Sequence, residues 1–198
     1  ESLMKYIVGR PKIKTAFTYV LFICAFGVSI FIADAWEGMQ IVGILIILVG
    51  ILIVFPGISY CELMWKVDQN VLQYTYHDNM LMKISSFFKH LLHTHRIEYQ
   101  MTIELSQIDY IAITYAKVPR LPYGAIGYDV WFHVHMYDGS IYSFIALTLS
   151  GRKDFNQAVD FMKEQGIHFK DGYHILDALH SHEHLSYYLE RIDKEQSK

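Results

Sequence analysis

Two stretches, TAFTYVLFICAFGVSIFIA (Thr15–Ala33) and MQIVGILIILVGILIVFPGI (Met39–Ile58), decide the architecture of this chain. Neither contains a Lys, Arg, Asp or Glu. A helix crosses a bilayer core of roughly 30 Å with about 20 mostly apolar residues, and each stretch has that length. A cleaved secretory signal has a shorter apolar core, about 7–15 residues, followed by a small-residue cleavage site. The first stretch therefore reads as a retained span. Only Asp34-Ala35-Trp36-Glu37-Gly38 separates it from the second, so the two must run antiparallel, as a transmembrane hairpin over 15–60.

The flanks orient that hairpin. Lys5, Arg10, Lys12 and Lys14 precede the first span, within a basic segment 1–14, whereas the connecting loop carries Asp34 and Glu37 and no basic residue. Basic residues in short flanks stay in the cytoplasm. The expected protein is a multi-pass protein of the cell membrane with both termini cytoplasmic. The same four basic residues would be drawn to anionic lipid by about 1 kcal/mol per charge. Trp36, Tyr60 and Trp65 stand at span ends, where amphipathic rings favour the headgroup region.

Gly43, Gly50 and Gly57 recur every seven residues. Two helical turns take about 7.2 residues, so these glycines form one stripe, a surface on which another helix approaches the backbone closely. The expected partners are Ala25 and Gly27 of the first span, with Gly50 at the point of closest approach; self-association through the stripe is the alternative. Cys24 lies deep in the first span and Cys61 just past the second. Their depths differ too much for the short Cα separation a disulfide needs.

From Cys61 onward about 138 residues remain, enough for one compact domain. Leu63, Trp65 and Val67 alternate with polar neighbours, Gln69-Asn70 turns, and 71–76 follows, which predicts a hairpin. Residues 84–95 read equally as a short helix or as a strand and loop. Period 2 returns over 97–105, and Ile108–Thr114 reads as a further strand. The segment KVPRLPYGAIG (117–127) holds two prolines and two glycines and is expected to be a loop. Strands over 128–137 and 140–147 flank Asp138-Gly139, a tight-turn signal. Ser150 is the expected N-cap of a helix with Phe155, Ala158, Val159 and Met162 on its buried face and Gly166 at its C-cap. After Lys170-Asp171-Gly172, one helix is predicted from about Tyr173 to the end. Its apolar stripe is Ile175, Leu176, Leu179, Leu185, Tyr188, Leu189 and Ile192. The fold class is a membrane hairpin followed by an α+β domain (61–172) of six or seven antiparallel strands and a helix, with a C-terminal helix over 173–198.

Three segments, IELSQIDYIAI (Ile103–Ile113), YDVWFHVHMYDGSIYSFIAL (Tyr128–Leu147) and RKDFNQAVDFMKEQGI (Arg152–Ile167), resemble the bacterial pleckstrin-homology-like domains of small Gram-positive membrane proteins. The resemblance covers 61–167. It implies an antiparallel sheet or barrel capped by a helix, used for docking or assembly, and it carries over no catalytic residue set.

Chemical motifs are sparse. There is no phosphate loop, dinucleotide fingerprint, nucleophile elbow or zinc-protease helix, and Asp109, Asp129 and Asp138 are dispersed. Neither a catalytic site nor a cofactor is expected. His180 and His184 stand one helical turn apart on the predicted C-terminal helix, a spacing that places two imidazoles on one metal ion. His168 and His174 lie near them in sequence, and His182 points elsewhere. His90, His93 and His95 form a second group, His133 and His135 a third. A solvated, weakly titrating face explains the same residues. Lys117, Arg120 and Tyr123, in the predicted loop, are the candidate partner-binding residues. A net charge of −3 argues against nucleic acid as a partner. The expected function is that of a non-catalytic, membrane-anchored scaffold or accessory subunit of a larger membrane assembly; the alternative is a metal- or lipid-sensing module.

Overall fold

The computed structural model describes residues 5–9, 11–33, 36–60, 64–75, 79–92, 99–120, 125–147, 152–181 and 183–196. The chain divides into two compact units. One comprises Arg10–Glu62 and Tyr76–Glu98; the other comprises Glu1–Gly9, Leu63–Thr75 and Tyr99–Lys198. Of residues 76–98, those described, at 79–92, group with the apolar helices.

The first unit is helical. It contains α1 (Ile13–Ala33) and a second run formed by α2 (Met39–Val49), a π-helical turn (Gly50–Val54) and α3 (Phe55–Ser59), followed by α4 (Met80–Leu92). The two apolar helices, Ile13–Ala33 and Met39–Ser59, are each long and apolar enough to cross a membrane, and they pack as a hairpin. The π turn has a local cause. Pro56 offers no N–H and its ring crowds the carbonyl four residues back. The helix widens just before it, where the Phe55 N–H bonds to the Gly50 carbonyl five residues back.

Glycine sets how closely the hairpin closes. A Cβ on Gly43 would lie 2.6 Å from the Gly27 carbonyl oxygen and 2.9 Å from the Phe31 nitrogen. Backbone touches backbone there. At Gly50 the nearest atom would be a side-chain methyl, Ile23 Cγ2 at 3.0 Å, and Gly57 faces the thioether of Met80 on α4. The stripe is therefore shared between α1 and α4, and the closest approach is at Gly43 rather than Gly50. Gly27 is buried as expected, but Ala25 is exposed and lies off the seam. Gly43→Leu should cost about 1–3 kcal/mol or more, as overpacking does, and should exceed Gly50→Leu, where a new side chain would meet the Ile23 side chain and not backbone atoms. Thermal melting of the purified protein in mild detergent checks the order; equal losses would contradict the backbone contact.

The second unit is α+β. One sheet has the order β1-β2-β3-β4, with β1 (Tyr6–Val8), β2 (Met64–Val67), β3 (Val71–Thr75) and β4 (Met101–Glu104), all antiparallel. The other has the order β7-β6-β5-β8, with β5 (Ile108–Arg120), β6 (Ala125–Met136), β7 (Ile141–Leu147) and β8 (His168–Lys170). Helices α5 (Arg152–Glu164), α6 (Ile175–His180) and α7 (Leu185–Gln196) complete the unit. Inward residues of both sheets and of the three helices form one buried cluster.

Several expectations change here. The basic N-terminal segment contributes an edge strand, with Ile7 opposite Lys66. The sheets are not wholly antiparallel, because β8 runs parallel to β5, with Ile111 opposite Phe169. The ends of the predicted 117–127 loop are strand: Lys117 pairs with Tyr128, and Pro119 with Ile126, as the β5–β6 ladder continues to Arg120 and Ala125, while 121–124 lie outside the described residues. A bulge at Asp109 reverses the side-chain phase, so Ile108 and then Ile111 and Ile113 face inward; one extra residue does this wherever it enters a ladder. Residues 80–92 are a helix, which settles the ambiguity over 84–95 as far as Leu92.

Trp65 is the largest correction. Read as a headgroup anchor, it is instead fully buried at the centre of the α+β core. Its indole N–H donates to the Ala146 carbonyl at 2.7 Å, and Phe132, Phe144 and Phe155 surround its ring at centroid distances of 5.8, 6.2 and 6.1 Å. Tyr60 is also buried, whereas Trp36 is 67 % exposed.

Helix α5 matches its prediction. Phe155, Ala158, Val159 and Met162 are buried, and Gly166 adopts the left-handed conformation (φ 86°) that ends the helix. The expected single helix from Tyr173 is two helices, α6 and α7. Ser181 is extended at ψ 169°, and the Arg152 guanidinium fills the break. It donates to the carbonyls of Leu179 (2.7 Å), Glu183 (3.1 Å), Ala178 (2.8 Å) and Ser181. The Leu179 and Ala178 carbonyls are orphan acceptors of the helix end, and one planar cation gathers them with the carbonyls of the break.

Candidate docking groove

The continued β5–β6 ladder carries Lys117 and Tyr128 to positions beside α7. There the Lys117 ammonium lies 2.6 Å from Asp193 Oδ2, and the next residue, Lys194, pairs at 2.7 Å with Glu190 one turn earlier. An open groove of about 790 Å³ runs along this seam, lined by Lys117, Ile126, Tyr128, His184, Tyr187 and Glu190 among others. Ile126 is 58 % and Tyr187 70 % exposed. The hydrogen bond and the charge of Asp193 raise the Lys117 pKa, and Glu190 does the same for Lys194, so both lysines stay charged at neutral pH. The rim charges are paired with one another, and Ile126, Tyr128 and Tyr187 set an apolar and aromatic strip among the polar lining residues. Such a lining suits an amphipathic partner better than a phosphate.

The sequence candidates separate accordingly. Lys117 and His184 come together in this groove. The Arg120 side chain and Tyr123 lie outside the described residues, as do Arg10, Cys61, His93, His95, Ser150 and His182. His180 does not join His184: the helical turn meant to align them is broken at Ser181. Its Nδ1 sits 2.8 Å from the Leu176 carbonyl and its Nε2 3.5 Å from Asp160. His168 and His174 line a different cavity of about 420 Å³ with Asp171 and Asp177. Among the described residues, no group of three or more His, Cys, Asp or Glu is placed to hold a metal ion. Lys5 stands beside Lys66, whose pKa falls through burial and then through that like charge. The Lys12 backbone N–H bonds to the Ser59 carbonyl at 2.9 Å, tying the ends of the hairpin together.

The exposed face of the second sheet holds the third histidine group in order. His133 Nε2 lies 2.8 Å from the Thr114 hydroxyl and Nδ1 2.7 Å from that of Ser143. His135 stacks on Tyr110 at 4.2 Å, with Lys170 over the Tyr110 ring at 3.2 Å. Burial, and then the neighbouring His135, hold the His133 imidazole below its ordinary pKa. The folded state thus favours the neutral ring. This stabilisation is complete above the unfolded value of about 6.5 and is lost as pH falls through it toward the lower folded value. Melting temperatures should fall between about pH 7.5 and about pH 5.5, in the range where histidine titrates, and His133→Gln should flatten part of that slope. An unchanged slope in the variant would place the sensitive group elsewhere.

Comparisons with protein-family models, with curated proteins and with solved structures find no match to this chain. Neither Arg152, which organises the α6–α7 break, nor the α7 wall of the groove was signalled by a motif. The Lys194–Glu190 pair follows a four-residue spacing visible in the sequence, but its apposition to Lys117 does not.

Proposed function

We propose that the protein is a membrane-anchored binding subunit: the apolar hairpin spans the bilayer, and the α+β unit docks a partner on the cytoplasmic side through the groove between the β5–β6 hairpin and α7. The observation that carries this reading is the hairpin's surface. Only 17 % of each apolar window is buried, and Phe17, Leu21, Phe22, Ile32, Ile41 and Leu45 are each more than half exposed. Facing water, that surface would far exceed the few hundred Å² of contiguous apolar patch usual for soluble proteins; facing lipid, it costs nothing.

The pairing of β1 with β2 supports the same topology. Strand β1 precedes the first helix and β2 follows the second, yet they share one sheet. Both ends of a spanning hairpin must then emerge on one side, and the basic flank selects the cytoplasm. Two four-stranded sheets around one core, with α5 following β7, support a docking-domain reading, although the parallel strand β8 departs from the antiparallel pattern that the resemblance implies.

Two measurements test the proposal. Cysteines placed at Gly38 and Ser197 should differ on intact cells, only the first reacting with an impermeant thiol reagent. A stoichiometric membrane-protein partner should co-purify in mild detergent and be lost in the Ile126→Glu/Tyr187→Glu variant, whose melting temperature stays unchanged. Purification as a lone species from native membranes under several mild detergents would overturn the docking role.

A further inference from the structure

We infer that α4 is an interfacial helix, lying in the headgroup region of an anionic cytoplasmic leaflet beside the end of the second apolar helix. The inference rests on the membrane reading above and adds a lipid-contacting element to it. Asn79 starts the helix, its side-chain oxygen accepting the Met82 N–H at 2.9 Å. One side of α4 is fastened to the hairpin. The Phe87 ring meets Phe55 edge-on at 5.1 Å, and Met80 covers Gly57. Phe55 and Gly57 belong to the last turns of the run ending at Ser59, so α4 sits at the depth where that helix leaves the apolar core.

A second stripe is left uncovered. Leu81, Phe88 and Leu92 follow one another at spacings of seven and four, which align on one side of a helix. They are 77 %, 37 % and 74 % exposed. This stripe adjoins the packed side, Leu81 following Met80 and Phe88 following Phe87 in the chain. Charge selects the occupant. Met80–Leu92 contains Lys83 and Lys89 and no Asp or Glu. An apolar stripe flanked by lysines is the pattern of helices that lie in the plane of an anionic membrane surface. A partner protein would have to reach this stripe at the level of the headgroups, where lipid already fills the space.

Nitroxide labels on single cysteines, in full-length protein with Cys24 and Cys61 replaced by Ala and reconstituted in nanodiscs, test the placement. Labels at Leu81 and Leu92 should collide more with oxygen than with a nickel chelate, and a label at Ser86, on another side of α4, should show the reverse. A label at Leu45, mid-helix in α2, reports the membrane reading independently. Water exposure at Leu45 would overturn that reading and this one together; lipid exposure at Leu45 with water exposure at Leu81 and Leu92 would overturn the interfacial helix alone. Low collision with both reagents at Leu81 would mean a protein-covered stripe and would also overturn it. Discs containing phosphatidylglycerol should give deeper readings at Leu81 than phosphatidylcholine alone, and equal readings would overturn the preference for anionic lipid.

Discussion

Truncation of Trp65 to alanine is expected to destabilise the α+β unit by about 3–5 kcal/mol, the usual range for removing a large buried aromatic. The ring is fully buried and contacts three phenylalanines drawn from β6, β7 and α5, so its loss opens a cavity where both sheets and a helix meet. The Ala146 carbonyl also loses its donor. Trp65→Phe separates the two contributions: it keeps most of the volume and should retain only the cost of an unpaired buried acceptor, about 1–3 kcal/mol. Trp36→Ala, at an exposed position, should be nearly silent. Denaturant titration of the full-length protein in detergent, followed by near-ultraviolet circular dichroism, measures all three. Similar losses for Trp36→Ala and Trp65→Ala would mean that Trp65 is not in the core.

Arg152→Met should release α6 and α7 at a cost of about 2–4 kcal/mol. A hydrogen bond from a charged group contributes about 1.5–3 kcal/mol, and water replaces part of the four that are lost. The acceptors lie on the end of α6, on the extended Ser181 and on Glu183 just before α7, so the damage should be local. Amide exchange over 183–196 should accelerate while β5 and β6 remain protected, because locally weakened segments open below the global threshold. Arg152→Lys should recover little, since a single ammonium cannot span carbonyls that a planar fork reaches together. Full rescue by lysine, or unchanged exchange in α7, would contradict this role.

The loss of α7 would also remove one wall of the groove, which ties the second prediction to the proposed docking. Asp193 holds Lys117 only while α7 is seated, whereas the Glu190–Lys194 pair lies within α7 itself. The sequence exposed these residues as ordinary surface charges. It contained no sign that Lys117, on a strand, and Asp193, on the last helix, would meet across a separation of 76 residues.

Legibility followed the range of the interaction. The seven-residue glycine repeat, the phase of α5 and the Asp138-Gly139 turn, with Gly139 at φ 86°, each depend on neighbours within a few turns. All were readable. The loop predicted over 117–127 is too long, because Pro and Gly signal loops locally, yet the ladder from Lys117–Tyr128 to Arg120–Ala125 carries Pro119 and Gly127 on the strands. Strands β1 and β8 are three residues each, too short for any alternation to register. Both are strands only because a distant edge accepts them.

By itself the sequence determined the apolar hairpin, its orientation signals, the α+β character of the remainder and the helix after Ser150, since composition and short-range periodicity suffice for these. Tertiary structure alone decided which glycine touches backbone, that Trp65 fills a core instead of marking an interface, that α6 and α7 are separate, and that Lys117 and His184 share a groove while His180 does not. Each of these depends on long-range packing: a side chain's role is set by the surfaces that close around it, and no local pattern encodes which surfaces those are.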